Sequence, residues 1–96
     1  MKTLFVIYDE DLEDKVSAIM QRGMVLARYS RLDDVKGARM VEIERRTGYA
    51  LDRRNRLLLA VADEEIIAGI VTELRRLRER EGHGLRAFVV PVEDVV

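Results

Sequence analysis

The fold is decided by residues 56–81, "RLLLAVADEEIIAGIVTELRRLRERE". The first seven of these residues are almost wholly apolar, which predicts a strand buried on both faces in the middle of a sheet. Asp63 follows at the N-cap position of a helix, and Gly82 stands just past the end of that helix. The helix carries an apolar stripe formed by Ile66, Ile67, Ile70, Leu74 and Leu77. The stretch therefore predicts a central strand followed by a helix that packs on one face of the sheet.

The same order of strand and helix opens the chain. Residues 2–8, "KTLFVIY", are β-branched or aromatic for the most part and apolar on both faces, which predicts another interior strand. Asp9 supplies an N-cap, and Gly23 ends the helix that follows. The apolar face of this helix is formed by Leu12, Val16, Ile19 and Met20.

Between these two units, residues 24–31 and 38–45 are predicted to be strands of a solvent-facing hairpin, with residues 32–37, "LDDVKG", as the turn. The last strand is "LRAFVVPV" (residues 85–92), and Pro91 places its far end at an edge of the sheet or beyond the ladder. The order βαββαβ predicts an α+β, ferredoxin-like fold, in which two helices cover one face of an antiparallel sheet. The loop between the second and third strands is expanded.

One face of this sheet is left without a cover. The strand at residues 57–62 has no polar face, yet two helices cover only one side of the sheet. An exposed apolar face of this size is typical of an interface, and an identical subunit is the simplest partner. The sequence therefore predicts a homo-oligomer.

Composition narrows the class of protein. The 96 residues predict a single domain, and the 48% hydrophobic content supports a packed core. Lys and Arg number 17 against 18 Asp and Glu, a balance that argues against a dedicated nucleic-acid binder. No cysteine is present, which excludes disulfides, thiolate metal sites and cysteine nucleophiles. No signal peptide or membrane-length apolar run is found, so we expect a soluble, cytoplasmic protein without membrane insertion.

The loop before the last strand, "GHGLR" (residues 82–86), is the best candidate site. Glycines allow successive N–H groups to point into one concavity, which binds anions, and Arg86 can add a charged hydrogen bond to a phosphate. The alternative is that Gly82 only ends a helix and Gly84 only forms a turn. His83 has no second histidine or cysteine with which to bind a metal. Both interpretations of the glycines remain open.

Arginines also surround the middle of the chain. Such side chains suit a nucleotide phosphate or an acidic partner, although pairing with Glu42, Glu44 and Asp52 explains them equally well. These residues are Arg45, Arg46, Arg53, Arg54 and Arg56. The arginines at the end of the second helix are interpreted as a solvated face. One histidine without a partner forms no catalytic triad, so we predict no enzyme, no catalytic residues and no metal site.

Taken together, "LLLAVADEEIIAGIVTELRRLRE" and "GHGLRAFVVPVEDVV", with "MK" opening the first strand and "RGM" closing the first helix, resemble the PII-like signalling superfamily. The resemblance covers nearly the whole chain and implies a single PII-like domain over residues 1–96. It also implies a homotrimer that binds small effectors, often adenine nucleotides, between subunits. A long loop, the T-loop, here at about residues 32–55, would contact a partner protein such as a membrane transporter or an enzyme.

The resemblance assigns residues to two candidate sites. The effector or phosphate site would comprise Gly82, His83, Gly84 and Arg86, with Arg53, Arg54 and Arg56 from the loop base. The partner-binding loop would present Asp33, Asp34, Lys36, Arg39, Arg45, Arg46 and Tyr49. Asp33 and Asp34 stand where the family has glycine and arginine. This departure favours an alternative, a trimeric interaction module that has lost nucleotide binding. A metal-responsive relative of the CutA type is a further alternative, although ligand residues are sparse.

Overall fold

The computed structural model describes residues 1–23, 28–36 and 54–96, which form four strands and two helices. Their order agrees with the predicted βαββαβ pattern. In chain order the elements are β1 (Lys2–Asp9), a 3-10 turn (Glu10–Leu12), α1 (Glu13–Gly23), β2 (Tyr29–Val35), β3 (Asn55–Ala62), α2 (Glu64–Glu81) and β4 (Leu85–Pro91).

The four strands form one sheet in the order β2-β3-β1-β4, and every neighbouring pair is antiparallel. The two strands with apolar residues on both faces, β1 and β3, lie in the middle, as their sequences predict. Phe5 in β1 pairs with Leu59 of β3 on one side and with Phe88 of β4 on the other. β4 is an edge strand, which agrees with Pro91 at its end. The predicted ferredoxin-like fold is confirmed.

The core lies between the sheet and the two helices. Alternate residues of β1 and β3 point into it, and the apolar stripes of α1 and α2 close it from above. On the sheet these residues are Leu4, Val6, Tyr8, Leu58, Ala60 and Ala62, and on the helices they include Val16, Ile19, Met20, Ile67, Ile70, Leu74 and Leu77. Ile66 was predicted to belong to the stripe, but its side chain is exposed because it lies one residue off the buried face.

The two helix starts differ. The Asp9 carboxylate accepts a hydrogen bond from the Asp11 N–H at 3.0 Å, so it caps a 3-10 turn that leads into α1. Asp63 occupies the N-cap position of α2, but within the described part of the chain its side chain accepts no capping hydrogen bond. The predicted N-cap position of Asp63 is therefore confirmed, but without a side-chain hydrogen bond to the described backbone. Glu64 and Glu65 supply the negative charge that favours this helix terminus.

The predicted turn at residues 32–37 is also wrong, because residues 32–35 belong to β2. Leu32 pairs with Leu57, and the register then shifts so that Val35 pairs with Asn55. One extra residue is accommodated as a β-bulge, with Asp34 in the left-handed region at φ 57°. The two aspartates therefore bend the strand without ending it.

The other predictions for the middle of the chain have different outcomes. Of the predicted strand at residues 24–31, the structure describes residues 28–31, and β2 begins at Tyr29. The predicted strand at residues 38–45 lies outside the described residues. The connection between β2 and β3 spans residues 36–54, slightly shorter than the loop expected at residues 32–55.

The face of the sheet turned away from the helices is apolar, as predicted. Residues that pair across the strands point to the same face, so Phe5, Leu59 and Phe88 share it. Its other members include Ile7, Leu32, Leu57, Val61 and Val90. Phe88 is 47% exposed and Leu32 is 53% exposed, so this open face leaves large apolar side chains in contact with solvent. Neither described helix is long and apolar enough to cross a membrane.

Candidate functional site

The loop at residues 82–84 joins α2 to β4 and is shaped by its two glycines. Gly82 has φ 77° and Gly84 has φ 82°, a left-handed conformation that favours glycine. The Gly82 N–H donates a 2.7 Å hydrogen bond to the carbonyl of Arg78, so Gly82 does end the helix. Because that N–H is occupied, an anion in this loop is left with the N–H groups of His83 and Gly84.

A backbone hydrogen bond holds Gly84 beside Asp9, the residue that precedes the 3-10 turn. The Gly84 carbonyl accepts this 2.8 Å hydrogen bond from the Asp9 N–H. A Cβ atom at this position would lie 3.4 Å from Cβ of Asp9 and 3.5 Å from Cδ1 of Leu12. The close packing fixes the loop relative to the sheet. The N–H groups of His83 and Gly84, for which the described residues supply no backbone acceptor, therefore have a defined position.

The loop forms one wall of a cavity of about 170 Å³. Its lining combines loop backbone, two arginines and one amide side chain. The lining residues are Ile7, Asn55, Arg78, Gly82, His83, Gly84, Leu85 and Arg86. The structure therefore brings together Gly82, His83, Gly84 and Arg86, the predicted core of the site.

Arg78 is a site residue that the sequence analysis missed, because it was assigned to the solvated face of α2. Its Nε donates a 3.0 Å hydrogen bond to the carbonyl of Leu85, the first residue of β4. This bond holds the guanidinium beside the glycine loop. The sequence position of Arg78, one helical turn before Gly82, could have indicated this role, because the last turn of a helix lies next to the loop that follows it.

Arg86 lies where the cavity meets the open face of the sheet. It pairs with Ile7 in β1, and residues that pair in this way point to the same face. The side chain is exposed. A ligand held by Arg86 would therefore also lie next to whatever covers the open face.

A second cavity, of about 260 Å³, continues along α2 and the edge of β4. It shares Arg78, Leu85 and Arg86 with the first cavity. Its other lining residues are Val71, Leu74, Arg75 and Ala87. Three arginines and no described Asp or Glu line the two cavities, so the combined groove favours negative charge.

His83 makes a local contact. Its Nδ1 lies 2.9 Å from the carbonyl oxygen of Glu81, and the ring is exposed at the rim of the cavity. Among residues 1–23, 28–36 and 54–96, no group of three or more His, Asp and Glu side chains is arranged to hold a metal ion.

Arg56 is placed elsewhere, in a charged cluster at the start of α1. Its guanidinium lies 3.2 Å from Oε2 of Glu13, and its Nε lies 3.4 Å from Oδ1 of Asp33. Arg31 pairs with the same two carboxylates, and its Nε lies 3.2 Å from Oδ1 of Asp33. Tyr8 completes the cluster with a 2.5 Å hydrogen bond from its hydroxyl to Glu13. We call these five residues the Glu13 cluster.

The cluster changes the titration of its members. Burial by itself raises the pKa of Glu13, but hydrogen bonds from Tyr8, Arg56 and Arg31 outweigh it and hold the pKa below its ordinary value. Burial and the hydrogen bond to Glu13 raise the pKa of Tyr8 above its ordinary range. Glu13 is therefore charged and Tyr8 neutral at physiological pH.

The remaining predicted residues divide by position. Arg54 is exposed, and its carbonyl accepts a 3.1 Å hydrogen bond from the Glu10 N–H. Asp33 and Asp34 lie at the bulge of β2, and Lys36 follows β2 on the surface. The predicted residues outside the described part of the chain are Arg39, Arg45, Arg46, Tyr49 and Arg53.

Sequence comparison finds no family model that matches the chain and no curated protein that matches it. Comparison of structures finds similar folds. A CPII protein from Thiomonas intermedia, bound to ADP, AMP and acetate, has a TM-score of 0.68 and 16% identity over 92% of this chain and 81% of its own. A DUF3240-family protein from Shewanella baltica has a TM-score of 0.72 and 17% identity over 99% and 92%.

A PII-like signalling protein from Thermus thermophilus has a TM-score of 0.53 and 22% identity, over 93% of this chain and 83% of its own. At these identities the similarity establishes the fold. The small α+β sheet with two helices, predicted from the sequence and described above, is thus the fold of the PII-like proteins.

Proposed function

We propose that this chain is a PII-like regulatory protein that binds the phosphate of a small effector at the glycine loop. The observation that carries the proposal is the cavity in which the loop backbone, Arg78 and Arg86 converge beside the open face of the sheet. The N–H groups of His83 and Gly84 and two guanidinium groups are donors suited to phosphate oxygens.

The size of the cavity supports binding between subunits. A volume of about 170 Å³ accommodates a phosphate group but lies below the range of about 300–1,000 Å³ typical of small-molecule pockets. The rest of a nucleotide would need a second wall. Because Arg86 lies on the open apolar face, a second copy of the chain that covers this face would supply that wall. We propose a homotrimer of single PII-like domains.

An adenine nucleotide is the proposed effector, and the structures of CPII bound to ADP and AMP support this choice. Arg54, next to Asn55 of the cavity lining, and Arg53 are proposed to assist from the base of the loop. Arg56 is left out of the proposed site because Glu13 and Asp33 already pair with its guanidinium.

We propose that the protein acts by binding a partner protein, a membrane transporter or an enzyme, and that it does not catalyse a reaction. The connection between β2 and β3, with the end of β2 that leads into it, is the proposed contact segment, because it corresponds in position to the T-loop of the PII-like proteins. The proposed contact residues are Asp33 and Asp34 at the bulge of β2, followed by Lys36, Arg39, Arg45, Arg46 and Tyr49.

A thermal unfolding series with AMP, ADP and ATP tests the proposal. A ligand at a hundred times its Kd should stabilise each site by about 2.7 kcal/mol. We expect one nucleotide to raise the Tm of the wild type and of R76A, a matched arginine variant on the outer side of α2 that pairs with Glu73. R86A should lose this rise. A rise that survives in R86A would place the nucleotide elsewhere.

A second candidate function is a trimeric interaction module without a nucleotide. It is favoured by Asp33, whose carboxylate pairs with Arg31 and Arg56. The protein's own carboxylate thus occupies arginines at the base of the loop that could otherwise bind a phosphate. No change in Tm with any nucleotide, together with a stable trimer, would select this alternative.

A further inference from the structure

The hydrogen-bonding phase of β4 determines which backbone groups lie on the outer edge of the sheet. The Gly84 carbonyl accepts from Asp9, and the Val92 N–H donates to the carbonyl of Met1 at 3.2 Å, so both residues face β1. In an antiparallel pair alternate residues face the partner strand. The backbone groups of residues 85, 87, 89 and 91 therefore point away from β1, where no described strand follows β4.

Both ends of this outer edge are closed. The outward carbonyl of Leu85 accepts from Nε of Arg78, and Pro91 has no N–H to donate. Ala87 and Val89 remain, each with an outward N–H and C=O for which the described residues supply no partner. The edge of β4 thus offers a short ladder, two residues long, to an added strand.

The opposite edge of the sheet differs. β2 carries the bulge between Leu32 and Val35 and the charged residues Asp33 and Asp34, features that discourage strand addition. Of the two described edges, the one at β4 is therefore the one suited to a further strand.

The surroundings of Ala87 define the chemistry of a partner. The 260 Å³ groove beside it has apolar walls at Val71 and Leu74, with Arg75 and Arg78 above them. Neither arginine forms an ion pair with a described acidic side chain. An extended segment that carries both carboxylates and small apolar side chains matches this groove.

We propose that residues 93–96 of a second copy of this chain add to the edge of β4. Their sequence, Glu-Asp-Val-Val, combines two carboxylates with two valines, and all four residues are exposed in the single subunit. Within one subunit the Val92 N–H donates to Met1, on the side of β4 that faces β1 and not on the outer edge of Ala87 and Val89. In an extended conformation residues 93–96 span about 13 Å, enough to cover two residues of β4.

This docking rests on the homo-oligomer of the proposed function, and the test separates the two. Hydrogen exchange measured by NMR reports on the amides of Ala87 and Val89, while sedimentation reports the mass of the same sample. In the wild-type oligomer we expect these amides to exchange at least tenfold more slowly than in the dilute monomer. E93K/D94K should remove this protection. E79K, which reverses the charge of an exposed residue of α2 outside its first turn, is the control and should keep the protection.

Exchanging the charges of the groove arginines and the docked carboxylates tests whether the segment binds in this groove. R75E/R78E should also lose the protection, and combining it with E93K/D94K should restore it. An oligomer whose Ala87 and Val89 amides are unprotected, or protected despite E93K/D94K, would overturn the docking alone. A monomer at every concentration would overturn the proposed oligomer and the docking together.

Discussion

Tyr8 donates a 2.5 Å hydrogen bond to Glu13, joining the centre of the sheet to the first turn of α1. Tyr8 is fully buried, and the Glu13 carboxylate also receives Arg31 from β2 and Arg56 from β3. One carboxylate therefore ties three strands to one helix. Its replacement should affect the stability of the fold more than replacement of a surface glutamate.

We expect E13Q to destabilise the fold by about 1–3 kcal/mol, since a buried tyrosine hydroxyl and two arginines lose their charged acceptor. Urea unfolding measures the change. Y8F should cost less, about 1 kcal/mol, because it removes the donor and leaves the ring in place. E79Q, an exposed change on α2, is the control and should stay within about 0.5 kcal/mol of wild type. Equal stabilities of E13Q and E79Q would contradict the role of the cluster.

The pH dependence of stability should depend on Glu13. Its pKa in the folded chain is lowered from the ordinary value of 4.5, so the folded state favours the charged form. The resulting stability is present above the unfolded pKa and is lost as the pH falls from about 4.5 through the folded pKa. Urea midpoints between pH 6 and pH 3 should therefore fall less steeply in E13Q. Parallel curves for the two proteins would contradict the lowered pKa.

β2 should be the least stably attached strand. Along the whole of this described strand no side chain is fully buried, so its attachment depends on pairing with β3 and on the ion pairs of Arg31. R31A should speed hydrogen exchange of the β2 amides several-fold while β1 exchange stays unchanged. R22A, which removes an exposed and longer ion pair to Glu73, is the control. Equal β2 exchange in R31A and R22A would show that backbone pairing alone holds the strand.

The glycines of α2 and its loop should respond in opposite directions to alanine. Gly84 has φ 82° and packs against Asp9, so G84A should destabilise the fold by about 1 kcal/mol or more. Gly69 lies inside α2 with open space around it, so G69A should stabilise the fold by up to about 1 kcal/mol. Thermal unfolding measures both. A stabilising G84A would show that the loop does not need its left-handed conformation.

Much of the fold could be predicted from the sequence because its signals are local. Two strands carry apolar residues on both faces, which predicts interior positions in the sheet. Within residues 64–81 apolar residues recur at helical spacing, and a glycine follows the last of them. The Asp33–Asp34 pair was misleading, since adjacent aspartates favour turns, whereas here the Asp33 carboxylate pairs with Arg31 on the same strand and with Arg56 on β3. The pairing with Arg56 joins residues distant in sequence, so no local pattern reveals it.

The candidate site was predictable in part for the same reason. Gly82, His83, Gly84 and Arg86 are adjacent in sequence, and the structure keeps them together in one cavity. Arg56 was expected there, but Glu13, which is far from it in sequence, pairs with its guanidinium. Arg78 was missed because its role depends on a hydrogen bond to Leu85 across the loop.

Calorimetric titration with ADP measures whether the glycine loop binds the phosphate of a nucleotide, as we propose. We predict saturable binding to the wild type and to R76A, and at least tenfold weaker binding to R86A, a loss of about 1.4 kcal/mol. Sedimentation of the same samples should show an unchanged oligomer. Absence of binding to the wild type, or equal affinity in R86A, would contradict the proposal.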